Sequence, residues 1–183
     1  MHGCGGRRTF ARGCEIGHHY LPWIVGFAFA VVVGHFAIKA AARQMWLAID
    51  LNPDAPPLRP SPWQPEAVGL IERTLFTGAI LTGNAGFVAV WLGLKTVGQW
   101  RSWGEGQEST TTKRIVSGRE VYNNFLLGTG LSIGFAATGA YVTKALLAER
   151  FTPAALMAAA ALLGTVALTA WIRHRGQRFL GRP

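Results

Sequence analysis

Residues 21–42 read LPWIVGFAFAVVVGHFAIKAAA, an apolar run of 22 residues whose only formal charge is Lys39. Wound as an α-helix rising 1.5 Å per residue, such a run covers about 33 Å, enough to cross a hydrocarbon core about 30 Å thick. Three further apolar runs follow, at 70–97, 122–147 and 154–172. In lipid the backbone has no water to bond, so each run must satisfy its own amides and carbonyls as a helix. The expected fold class is therefore all-α, an integral membrane bundle of four transmembrane helices.

Composition agrees. Half of the 183 residues are hydrophobic and 15% are charged, against about 25% in an ordinary soluble domain. The net charge of +9 would suggest a nucleic-acid partner in a soluble protein. Here the basic residues gather at the chain ends and between the apolar runs, and no basic surface interleaved with aromatics accompanies them. The partner they imply is the lipid bilayer, whose anionic headgroups they meet, and not nucleic acid.

The organisation is a basic tail at 1–19, a transmembrane domain at 20–174 and a second basic tail at 175–183. Residues 50–65 hold six prolines, which stop a helix and favour an extended or turning loop. Residues 101–118 form a polar loop rich in Gly, Ser and Thr. Thr152 and Pro153 suit the start of the fourth helix. With four passes and both ends inside, twelve Lys and Arg fall on the cytoplasmic side and six outside. The bias predicts N-in and C-in, in the inner membrane of a bacterium. Residues 1–42 carry the order of a signal peptide, basic then apolar then Ala40 to Ala42. The apolar run is too long, and Lys39 precedes the small residues, so a retained helix is expected.

Ionisable and polar residues inside spans are costly and mark functional candidates. One group is His35, Lys39 and Arg43, four residues apart on one helix face, with Glu72 and Arg73 at the start of the second span. Glu72 is expected to meet Lys39, Arg43 or its neighbour Arg73 near the outer leaflet. That group reads either as a charged vestibule for an ion or as a structural ion pair with snorkelling side chains. A second group comprises Arg119, Glu120, Tyr122, Asn123 and Asn124 at the start of the third span, Thr129 and Ser132 deeper in it, and Lys95 approaching from the second. It reads either as the lining of a pathway or as interhelical hydrogen bonding.

Small residues recur every four positions, at Gly78, Thr82 and Gly86, at Gly130, Gly134 and Thr138, and at Ala160 and Gly164. Such stripes let membrane helices approach closely, and close packing is expected there.

Known enzyme constellations are missing. There is no Gly-x-Ser-x-Gly elbow, zinc-binding His-Glu-x-x-His or phosphate loop. Both aspartates, Asp50 and Asp54, lie in the proline loop. Cys4 and Cys14, with His2, His18 and His19, lack metal-ligand spacing and read as free thiols. His35 is the only histidine inside a span, and His174 lies at a helix end, so no haem pair forms. No metal and no cofactor is expected.

The residues Ile71-Glu72-Arg73, Gly83, Gly86-Phe87, Lys95-Thr96, Arg119-Glu120-Val121-Tyr122 and Leu127-Gly128-Thr129-Gly130-Leu131-Ser132 resemble the pattern of a family of small bacterial multi-pass membrane proteins with no known activity. The likeness covers about a third of the chain. Gly130 inside the block and the longer polar loop before Arg119 depart from the pattern. The resemblance implies a membrane fold and a bacterial source, and no activity.

The expected function is that of a non-enzymatic membrane module, a subunit or anchor that assembles with other membrane subunits or with itself. The alternative is a small channel, transporter or membrane-permeabilising effector. A lipid-acting enzyme using Glu72 or Glu120 stands third.

Overall fold

The computed structural model describes residues 20–48, 63–103, 107–108, 115–116 and 118–180. Five helices account for nearly all of them. Helix α1 is Tyr20–Ala48, with a π-helical segment at Phe29–Val33. Helix α2 is Trp63–Leu81 and α3 is Gly86–Trp103. A two-residue antiparallel ladder joins β1 (Gln107–Glu108) to β2 (Ile115–Val116). Helix α4 is Gly118–Leu147 and α5 is Phe151–Leu180. Three stretches are long and apolar enough to cross a membrane: Tyr20–Ala48, Tyr122–Leu147 and Phe151–Arg175. The Gly86–Gly98 part of α3 is apolar but shorter.

The single second span expected at 70–97 does not form. The chain leaves α2 through Gly83, whose φ is +80°. Asn84 N–H donates to the Ala79 carbonyl at 2.7 Å, and Gly83 N–H donates to Ile80 at 3.3 Å. This closes a Schellman turn, which needs a left-handed residue just past the helix, and glycine takes that conformation without a Cβ penalty. Asn84 steadies the turn from its side chain to Thr82 Oγ1 at 3.3 Å. Helix α3 then runs back along α2, and together they make a helical hairpin.

The other tight connection uses the same geometry with a less suited residue. Glu149 takes φ 57°, and Arg150 N–H reaches the Ala145 carbonyl at 2.8 Å. Helix α5 begins at Phe151, so Thr152 and Pro153 lie in its first turn, where proline removes no needed donor.

The contacts fix which ends lie together. Asn124 at the start of α4 bonds the Met45 carbonyl at the end of α1, and Ile172 near the end of α5 packs on Ala41 and Met45. Lys39 on α1 meets Glu66 at the start of α2. At the opposite end, Lys144 of α4 reaches the Ile80 carbonyl beside the hairpin tip. The two loops that flank the hairpin thus join helix ends on one face of the bundle. That face also receives the end of α5, while α1 begins on the other.

Helices α1 and α4 cross at Gly26 and Gly139. A Cβ on Gly139 would stand 2.6 Å from the Gly26 carbonyl oxygen and 2.7 Å from Ala30 Cβ. Both distances are below any normal contact. The glycines of the small-residue stripes meet no neighbour within the chain: a Cβ at Gly78, Gly86, Gly130, Gly134 or Gly164 would find nothing within 4 Å among the described residues. Thr82 is exposed and bonds carbonyls of its own helix. Spacing identifies a small face, but the crossing point depends on which face meets another helix.

Gly139→Leu should therefore destabilise the bundle by about 1–3 kcal/mol or more, since overpacking a backbone contact forces the helices apart. Gly134→Leu should leave the melting temperature in detergent within a degree or two of the parent. Thermal unfolding of both variants followed by circular dichroism tests the crossing, and equal losses would remove it.

Candidate charged centre inside the helical bundle

Glu72 and Arg73 are neighbours on α2, so their side chains leave the helix about 100° apart. Both are buried, at 2% and 3% exposure. Their depth follows from what they touch. A Cβ built on Gly34 of α1 would lie 3.1 Å from Phe135 Cβ of α4 and 3.3 Å from Arg73 Cδ. Gly34 is the midpoint of Tyr20–Ala48, and Phe135 is close to the midpoint of Tyr122–Leu147. The pair therefore lies at half depth in the bundle and not at a helix end, because α2 starts at one face and has run about half its length by residue 72.

Glu72 faces α3. Lys95 Nζ lies 2.8 Å from its Oε2 and 2.7 Å from its Oε1. Trp91 Nε1 donates to Oε1 at 2.9 Å. Trp91 and Lys95 are one turn apart on α3 and so share a face. The Lys95 ammonium also sits 5.0 Å from the centre of the Phe125 ring on α4, a favourable cation–π distance. A charged carboxylate in this setting requires donors to offset its lost hydration, and three donor contacts from α3 supply them.

The expected partners of Glu72 were Lys39, Arg43 and Arg73, and of these its charge acts on its neighbour Arg73. Lys39 instead pairs with Glu66 at 2.8 Å, where both side chains are well exposed. Arg43 is exposed. His35 is half-buried with its ring edge-on to Phe36. The correction follows from the hairpin. In one continuous helix Lys95 would lie about 35 Å from Glu72, and the Gly83 turn folds that distance away.

Arg73 faces α1 and α4. Its guanidinium lies along Gly69, where a Cβ would stand 3.4 Å from Nη1. Its buried Nε has no hydrogen-bond partner among the described residues, and neither has buried Ser132 Oγ on α4. Helices α2 and α4 run in the same direction, with Thr77 Oγ1 leaning on the Ala136 carbonyl at 3.4 Å. One turn back along each helix are Arg73 and Ser132, which puts the two unmatched groups at one level. Thr129, 6% exposed, lies one turn further. The π-helical segment of α1 packs here too, with Phe29 and Phe135 rings 5.8 Å apart. Segments of this kind recur at functional sites in helices.

The second expected group is only partly assembled. Asn124 bonds α1, Asn123 faces the α4–α5 groove, and Tyr122 is half-buried at the same face. Thr129, Ser132 and Lys95 join the charged centre. The side chains of Arg119 and Glu120 lie outside the described residues, as do the proline loop and the tail with Cys4 and Cys14. Among the described residues no cluster of His, Cys, Asp and Glu suits a metal ion. Sequence reasoning missed Trp91 as a partner of Glu72. Its spacing of four from Lys95 was a usable signal once the hairpin was known.

Three comparisons were made, with protein-family models, with curated proteins and with solved structures, and none gives a match.

Glu72→Gln should leave the Lys95 ammonium without a counter-charge and cost about 3–5 kcal/mol, the usual loss on breaking a buried pair. Adding Lys95→Met should restore part of it, whereas adding Lys39→Met should restore nothing. Melting curves of the single and double variants in detergent measure the coupling. Rescue by Lys39→Met would overturn the assignment.

Proposed function

We propose that the protein is a small multi-pass membrane protein that passes an ion or small polar solute between its helices, in the cytoplasmic membrane of a bacterium. The charged centre at half depth carries this reading. Ionised groups at the middle of a bundle are expensive, and where membrane proteins keep them they commonly line a pathway or bind a cargo. Further polar side chains continue the line in both directions along α2 and α4. Asn124 lies towards the face where α5 ends. Thr77 and Thr143, both fully buried, and Lys144 lie towards the other.

The orientation follows from treating α2 and α3 as two passes. Five passes put the chain ends on opposite sides, in place of N-in and C-in. Counted by the helix ends to which they attach, and leaving Lys95 with Arg73 in the centre, eleven of the 18 Lys and Arg belong to the face where α5 ends. Five belong to the face where α1 begins: Arg7, Arg8, Arg12, Lys144 and Arg150. The excess favours a cytoplasmic C-terminus and an N-terminus outside.

A second reading is assembly with another subunit or another copy. A groove of about 810 Å³ between α4 and α5, lined by Gly130, Gly134, Ala160, Ala161 and Gly164, favours it. Small residues with no intramolecular neighbour are suited to receive a further helix.

Proteoliposomes of the purified protein should show flux of a common ion or small solute above empty liposomes, and Arg73→Gln should remove it. Absence of flux for every ion tried, at both polarities of voltage, would sink the transport reading.

The two cysteines of the chain both belong to the N-terminal tail, so orientation can be read without engineering. In spheroplasts kept under a reductant, a membrane-impermeant maleimide should label the protein before lysis. Labelling only after lysis would put the N-terminus inside.

A further inference from the structure

Among the described residues the centre is not balanced in charge. Glu72 contributes one negative charge, Arg73 and Lys95 one positive charge each. No other ionisable group reaches the level of Arg73 from α2, α3 or α4, where the next charge on α4 is Lys144 near its end. From α1 the nearest is His35, half-buried against Phe36. Both carboxylate oxygens of Glu72 are engaged on the α3 side, by Lys95 and Trp91. Arg73 projects to the other side, into the space between α1 and α4, where Gly34 has no side chain to separate it from Phe135.

Two buried donors lie at that level, one on α2 and one on α4, without an acceptor among the described residues: Arg73 Nε and Ser132 Oγ. Both side chains are more than nine-tenths buried. An arginine does not shed its proton readily to relieve the cost of burial. A buried cation needs a counter-ion or strong acceptors.

We infer that Arg73 and Ser132 form the seat of a small monovalent anion, of halide or nitrate size, held between α1, α2 and α4. One negative charge brings the centre to neutrality, whereas a divalent anion would reverse its sign. A small anion suits a position enclosed by Phe135, Gly34 and the π-helical turn of α1. The guanidinium Nε–H and the serine hydroxyl supply two hydrogen bonds to it, and charge-assisted bonds of this kind are the strong ones. The inference rests on the reading of the charged centre as a cargo site, and it names the cargo class.

The test is the melting temperature of the purified full chain in detergent, titrated with sodium chloride, bromide or nitrate against sodium gluconate at constant ionic strength. A bound anion raises the melting temperature with concentration, and broadening of the ³⁵Cl resonance by the protein reports the same site directly. Ser132→Ala removes one hydrogen bond to a charged ligand, which should weaken binding by about ten- to a hundredfold. In gluconate that variant should melt no lower than the parent, because it loses only an unmatched buried hydroxyl.

Arg73→Gln should abolish both the shift and the broadening. If that variant fails to fold, Ser132→Ala alone decides. The seat is overturned if chloride, bromide and nitrate act no differently from gluconate, which would leave water as the acceptor. It is equally overturned if Ser132→Ala keeps the full anion-dependent shift. Failure of the transport reading looks different: anion binding with no flux in liposomes keeps the seat and removes the pathway. Conversely, flux that does not prefer anions and survives Ser132→Ala keeps the pathway and removes the seat.

Discussion

The contact between Glu72 and Lys95 ties the hairpin together, and the rest of the arrangement around α3 depends on it. Between helices in lipid there is no hydrophobic drive, because acyl chains are as apolar as leucine. Helix α3 packs Val88, Trp91 and Leu92 near Phe76 and Ala136, but leaves Val90, Leu94 and Val97 open. Packing alone gives such a helix a weak hold. The turn at Gly83 fastens one end of the hairpin, and the ion pair with its Trp91 bond fastens the middle. A helix clasped at only these places can shift as a unit if the pair is weakened, whereas α1, α4 and α5 are locked by backbone crossing at Gly26 and Gly139 and by the cluster around Met45 and Ile172.

The adjacency of Glu72 and Arg73 has a geometric consequence. Successive helical residues point about 100° apart, so one carboxylate cannot serve a cation on each side of α2. The hairpin decides the matter in favour of α3, where two donors one turn apart meet it. Arg73 is left to the interior seam with α1 and α4. That seam is made accessible by small residues on α1, Gly26, Ala30 and Gly34, and by the π-helical segment between them, which shifts the face that α1 presents to its neighbours.

The helical, membrane-spanning character of the chain was legible from apolar runs alone, since hydrocarbon leaves the backbone few options. The hairpin was not read, although its sign was present. A run of 28 residues from 70 to 97 is about 42 Å long as a helix, well over the core thickness, and Gly83-Asn84 lies near its middle. A Gly-Asn pair at such a place marks a turn. The partner expected for Glu72 on α1 followed from that one misreading. The membership of Glu72, Arg73, Lys95, Thr129 and Ser132 in one site was partly legible, because each is a polar residue in an apolar span. Their convergence was not, since it needs the order of helices in space. Where α1 and α4 cross, at Gly26 and Gly139, was illegible for the same reason.

A structural tie between α2 and α3 needs Glu72, Lys95 and Trp91 and nothing more. Arg73 adds a second cation to the same depth with no second carboxylate among the described residues. On stability alone this is unfavourable. Apolar side chains of similar volume commonly replace even well-paired buried ions at no loss, and an unpaired one costs several kcal/mol. A leucine or methionine at 73 would fill the space beside Gly34 and Phe135 and leave Ser132 free to bond a carbonyl of its own helix, as Thr77 and Thr138 do. The sequence places arginine there and leaves the serine unmatched. Packing gives no reason for that pair of choices, whereas an acceptor that comes and goes would account for both. A fixed structural group would be expected to carry its own carboxylate, and the missing negative charge is the feature that separates a site from a clasp.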